Sequence, residues 1–227
     1  MHPIFQRLDF SYANGEHFWD RSGQLTFELR KMTPGLRVNR SGADQRDLID
    51  DGARREVFFG ITAASISSTA VSDDGFIPLA AGFLRQLATT FEVQWLHGFT
   101  FRYVVGRRCA TREEAEALFW PMIGKEGQEK FKTLAPDGHP QASQVEFRRG
   151  PVDVTARFAL LDLASDPAAP AELHPHLGAM IEVRGTEPIS VAEFDAEAFM
   201  TNVATKQMDE ILSRLAPHLH EPTNPPS

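Results

Sequence analysis

The stretch from Phe91 to Arg108, FEVQWLHGFTFRYVVGRR, alternates for longer than any other part of the chain. Read as a strand, it places Val93, Trp95, His97, Phe99, Phe101, Tyr103 and Val105 on one face and Gln94, Leu96, Gly98, Thr100, Arg102 and Val104 on the other. Each fully buried apolar side chain contributes roughly 1.5–3 kcal/mol, so no other segment offers as much to a core. The pattern predicts a central strand whose first face is buried.

The flanking segments divide into strands and helices. Ile4 to Tyr12 alternates Ile4, Gln6, Leu8 and Phe10 against Phe5, Arg7, Asp9 and Ser11, and Asn14-Gly15 follows as a turn dipeptide. Leu25, Phe27 and Leu29 alternate with Thr26, Glu28 and Arg30, which predicts a strand paired as a hairpin with LRVNR across Pro34-Gly35. Ser41 to Arg55 is polar and carries Gly42 and Gly52, as a connecting loop or one short helix about Leu48 and Ile49 would. Glu56 to Val71 suits a strand pair or one bent strand with Gly60 at a bulge. After Ser72-Asp73-Asp74-Gly75, Phe76, Leu79, Ala80, Phe83, Leu84, Leu87 and Phe91 form the stripe of an amphipathic helix.

The second half has the same punctuation. Thr111 and Glu114 form a capping box for a helix stopped by Pro121, a short helix follows from Lys125 to Leu134, and Pro136-Asp-Gly138 turns the chain. Strands are expected over 143–149, 152–163 and 178–184, with Ala164 to His176 as a surface loop. Ser190 and Glu193 form a second capping box, opening a long C-terminal helix that ends near Pro217. The pattern predicts one α+β domain over 1–217, built of two halves, about 1–108 and 109–217. Each half is an antiparallel sheet backed by an amphipathic helix, and 218–227 form a disordered tail.

Composition narrows the function classes. Of 227 residues 42% are hydrophobic and 24% charged, as in an ordinary globular protein, and a net charge of -8 argues against nucleic acid as a partner. There is one cysteine, Cys109, so no internal disulfide and no thiolate metal site can form, which fits a reducing compartment. No apolar run reaches the roughly 18 residues of a membrane span, and the start of the chain lacks the pattern of a signal peptide. A cytoplasmic location without membrane association is the expectation.

The run GITAASISSTAVSDDGFIPLAAGFLRQLATTFEVQWLHGFTFRYVV resembles the middle of a sporadically distributed family of uncharacterised bacterial cytosolic proteins, with the match centred on residues 60–105. In that family a strand and a helix with an aromatic start lead into a strand ending in an Arg-Tyr pair, here Arg102-Tyr103. The chain departs at Val105, where the family usually carries asparagine. The resemblance implies an α+β protein without an assigned activity.

Motifs for nucleotide, zinc-protease or hydrolase chemistry do not occur. Cys109 follows Arg107-Arg108, cations that can lower a thiol pKa, but an ordinary cysteine at a strand end is the plain reading. His174-Pro-His176 and His218-Leu-His220 are two H-x-H pairs of the kind that ligates transition metals, set among prolines that suggest solvent-exposed side chains. His97 shares its face with Trp95 and Phe99 and reads as a paired core histidine or a binding residue. Arg102 either reaches solvent across the second face or is buried against a carboxylate.

Two function classes follow. The first is a non-enzymatic protein-binding partner or accessory, immunity-like protein, without a cofactor. It would act through Trp95, His97, Arg102 and Tyr103, and would self-associate through the Ile4–Phe10 or Leu25–Leu29 strand. The second is a small-ligand-binding protein or a metal-dependent enzyme using His174, His176, His218 and His220, with a pocket between the sheet and the last helix.

Overall fold

A computed structural model describes residues 2–13, 15–134, 141–164 and 173–219. The fold is mixed α+β, with one large antiparallel sheet and its helices on a single face. The strands are β1 (His2–Tyr12), β2 (Arg37–Ser41), β3 (Gln45–Asp50), β4 (Arg55–Gly60), β5 (Ala63–Ser68), β6 (Trp95–Arg108), β7 (Ala142–Arg149), β8 (Val152–Ala164), β9 (Leu173–Gly185) and β10 (Ile189–Ser190). Their order across the sheet is β2-β3-β4-β5-β1-β6-β9-β8-β7, with β10 added beside the start of β6. The helices are α1 (Phe18–Met32), α2 (Phe76–Phe91), α3 (Arg112–Leu134), α4 (Ala196–Thr201) and α5 (Met208–Leu219), with a π-helical turn over Asn202–Gln207 joining the last two. None of the described helices is long and apolar enough to cross a membrane.

β6 is central, paired with β1 on one side and β9 on the other. Those two ladders make the sheet continuous where two separate sheets were expected. Apart from β2 and β10, the element order β1, α1, β3, β4, β5, α2 is matched by β6, α3, β7, β8, β9 and the C-terminal helices. The corresponding strands run outward as 1-5-4-3 and 6-9-8-7. Leu8, Phe10, Phe59, Ile66, Phe101, Ile181 and Val183 face the helices and are buried with Phe18, Leu25, Phe83 and Phe91. Farther along, Ala115 and Phe119 of α3 cover Leu160 and Leu177.

Five expectations change. Residues 25–29 are helical, because Phe18, Ser22, Leu25, Thr26 and Leu29 make a stripe of helical period, and Phe27, the middle of the supposed strand face, is 60% exposed. Residues 41–55 hold the end of β2 and all of β3, with Leu48 and Asp50 turned inward; Asp50 accepts a bond from the Ala53 N–H at 2.9 Å. Leu173 to His176 begin β9 and do not belong to a loop. The last helix starts at Asp195, whose carboxylate accepts from the Ala198 N–H, since Ser190 is taken into β10, and it is divided by the π turn, so there is no single long helix. The Thr111–Glu114 box is present, but α3 continues past Pro121 and breaks at Gly124, where φ is 69°. The turn at 136–138, most of the run 164–172 and the segment from His220 lie outside the described residues.

Candidate functional site

The face of the sheet opposite the helices is the candidate site. Side chains alternate across a strand, so the residues that do not serve the core are gathered there: Arg7 and Asp9 from β1, Thr100 and Arg102 from β6, Glu182 and Arg184 from β9, and Asp153, Thr155 and Arg157 from β8. Register sets them in rows. One row runs Glu56, Ser67, Arg7, Arg102, Glu182, Thr155 and Glu146; the next runs Phe58, Ser65, Asp9, Thr100, Arg184, Asp153 and Arg148.

The charges in the middle of this face are paired locally. Arg7 donates to Asp9 at 2.8 Å and reaches the Ser65 hydroxyl at 3.4 Å; the bond to Asp9 holds its guanidinium more firmly protonated than usual. Arg102 donates through Nε to Oε2 of Glu182 at 2.8 Å, and the other carboxylate oxygen takes Arg184 at 3.3 Å. Glu182 is thus a bridge between two guanidiniums, and its side chain is 13% exposed against 35% for Arg102. Both sequence alternatives for Arg102 therefore hold together: it pairs with a carboxylate and it faces the open side.

A small hollow of about 260 Å³ lies on this face by Arg7, Glu56 and Ser67, and two others are larger. One, of about 590 Å³, is bordered by Arg102, Glu146, Thr155, Arg157, Met180 and Arg184. The other, of about 540 Å³, has a floor of small residues, Ala63, Ser65, Gly98 and Thr100, between Phe58 and His97. Arg184 touches both.

His97 reaches this face through a β-bulge. Ser11 pairs with Gly98 but Tyr12 pairs with Leu96, so His97 is skipped and the alternation changes phase. Leu96 is buried in consequence, and Trp95 and His97, expected in the core, are exposed. Trp95 sits beside Ser190 of β10 and lines neither hollow. Tyr103 points the other way, into the helix-side core against Phe101, where burial and then the charges of Asp209 and Asp74 raise its phenol pKa. Of the four residues singled out in the sequence, the structure brings only Arg102 and His97 to the open face.

The remaining candidates are elsewhere. Cys109 is buried under α3, and burial followed by the Glu114 charge pushes its thiol up, the opposite of an activated nucleophile. His174 and His176 are half-buried in β9; Nδ1 of His176 lies 2.8 Å from the His174 carbonyl oxygen, and the His174 ring lies 3.0 Å from Arg108. His218 is in the last turn of α5 and His220 lies outside the described residues. Among the described residues, no cluster of three or more His, Cys, Asp and Glu is placed to hold a metal ion.

No protein-family model matches the chain, and no curated protein matches it in sequence. Sequence reasoning missed Arg7, Glu182, Arg184 and Arg157. Their signal was present as the polar partners in the alternation of the Ile4, Val152 and Gly178 strands, but it needed the register to become one surface.

Proposed function

We propose that the protein is a non-enzymatic binding partner or accessory, immunity-like protein of a bacterial cytosolic system, and that it recognises another protein through the open face of its sheet. The observation that carries this reading is the row from Glu56 through Arg7, Arg102 and Glu182 to Glu146, in which guanidiniums and carboxylates are set side by side across the strands of one face. A mosaic of both signs favours a polypeptide of complementary pattern over a uniformly charged polymer, and it confers specificity and on-rate more than raw affinity. The net charge of -8 adds to the case against nucleic acid. Kinship with the sporadically distributed cytosolic family, centred on 60–105, and a cytoplasmic location belong to the same proposal. So does self-association, though not through the strands expected for it, because Ile4–Phe10 lies inside the sheet between β5 and β6 and residues 25–29 are helical.

A small-ligand role is the second reading, favoured by the 540 Å³ hollow between Phe58 and His97. Metal-dependent chemistry at the histidines is the weaker form of it, because His174 lies against Arg108 of β6 and His176 against the His174 carbonyl.

Thr100→Arg and Thr155→Arg, made together, test the proposal, because both positions lie on the open face and neither threonine is in an ion pair. The expected result is an unchanged melting temperature with loss of the protein captured from the native host by the wild type. A stable variant that retains the same captured protein overturns the proposal.

A further inference from the structure

The two outer strands of the sheet are built differently. β2 is short, carries Arg37 and Arg40, and has a register shift between Val38 and Arg40, all devices that keep another strand from pairing with an edge. β7 also carries charge, at Glu146, Arg148 and Arg149, but it is longer and has no bulge. Its eight residues, Ala142 to Arg149, pair with β8 without a shift, and no proline or lysine interrupts them. Val145 and Phe147 stand on the helix side, 59% and 45% exposed. A hollow of about 290 Å³ lined by Phe147, Ile181 and Ile211 adjoins them beside α5.

The phase of this edge, which has no strand partner among the described residues, follows from one bond. Leu160 N–H donates to the Gln141 carbonyl at 2.9 Å, so in this antiparallel ladder the odd residues of β7 bond to β8. The backbone groups of Gln144, Glu146 and Arg148 are therefore directed outward.

We propose that β7 is a self-pairing edge that joins two copies of this chain into one continuous sheet about a twofold axis at Phe147. In this register Glu146 of each copy faces Arg148 of the other, twice, and these residues exchange backbone hydrogen bonds. Phe147 faces Phe147 in the closer, non-bonded type of pair, on the same side as the hollow by Ile211. The register centred on Glu146 instead sets two carboxylates directly opposite, which disfavours it. The existing contacts are all exposed: Arg148 lies 3.6 Å from Glu187 and donates to the Gly150 carbonyl at 3.4 Å, and Glu146 accepts from the Gln144 amide at 2.6 Å. Because the axis is perpendicular to the sheet, the open faces of both copies look the same way. The backbone pairing lies at the sheet edge, but Glu146 and Arg148 also end the two rows of the open face, so the Phe147 cross-link, on the helix side, is the readout that separates the dimer from the recognition surface.

Light scattering on the full chain and three variants tests this. The wild type is expected to dimerise in the micromolar range. Glu146→Arg or Arg148→Glu alone should weaken the dimer by about tenfold or more, since each turns two attractive pairs repulsive. The double variant restores opposite charges and should return to near wild-type affinity. Phe147→Cys should form a disulfide-linked dimer under mild oxidation, and the native Cys109 is buried and does not confuse the result. A wild type that stays monomeric at high concentration overturns the proposal. So does a double variant no better than the single ones, or cross-linking through Glu146→Cys in preference to Phe147→Cys; an edge that pairs only with a strand of another protein gives the first of these results.

Discussion

Arg7 on β1 and Arg102 on β6 stand directly opposite each other across the central strand pair, and each turns to a carboxylate of its own. Arg7 takes Asp9 at 2.7 Å, two residues along its strand, and Arg102 takes Glu182 on the neighbouring strand through Nε at 2.8 Å. Like charges opposite each other destabilise a strand pair. The two carboxylates offset that repulsion and leave the middle of the open face close to neutral.

Removing one member should expose the arrangement. Arg102→Met leaves Glu182, the more buried partner, with Arg184 at 3.3 Å, and is expected to cost about 1–2 kcal/mol, between the values for exposed and buried pairs. Glu182→Gln should cost a similar amount by leaving the arginines opposed. Urea unfolding midpoints equal to the wild type for both variants would contradict the pairing.

At the edge of the helix-side core, Asp73 sets an acid limb. Burial pushes its carboxyl pKa up, but bonds from Arg55 at 2.8 Å and from the Ser68 hydroxyl at 2.7 Å outweigh this and hold it below the usual value. Since the folded pKa is the lower one, the contribution is complete above the unfolded carboxyl value, about 4, and is lost as pH falls through the folded value. Asp73→Asn should lose about 2–4 kcal/mol at pH 7, because it strands the mostly buried Arg55, and the gap to wild type should narrow on acidification. Melting curves that stay parallel from pH 7 to strongly acid conditions would contradict this.

Gly185 should tolerate no side chain. It pairs with Phe99, and an added Cβ would come within 2.2 Å of that ring. The ring has little room to move, being stacked on Phe194 at 4.7 Å and edge-on to Phe199 at 5.0 Å. Gly185→Ala is expected to destabilise by about 1–3 kcal/mol through overpacking. Calorimetry checks it, and an unchanged melting temperature would mean that the aromatic cluster yields.

Much of the fold was legible where one face of an element is strongly apolar. The central strand, β1, α2, β8 and the capping box at Thr111 could be read because the apolar period there has no rival. The period misled over 18–32, where Leu25, Phe27 and Leu29 alternate by chance along a helix whose true stripe includes Ser22 and Thr26. It was silent over β3, whose inward positions include Asp50 and Arg46, the latter bonded to Thr26 at 3.2 Å. At the site, Arg102 was visible as a cation among apolar neighbours. Its partner Glu182 lies eighty positions away and follows only from the β6–β9 register. His97 was assigned to the wrong face because a bulge, which no period reports, changes the phase of the strand at that residue.

The central claim is recognition of another protein by the open face, and site-specific photo-cross-linking in the native host tests it most directly. A benzophenone amino acid at Arg157, on that face, is compared with one at Phe27, exposed on the helix side. The account predicts a discrete protein adduct from Arg157 and none from Phe27. An adduct from Phe27 alone, or from neither position, would contradict it.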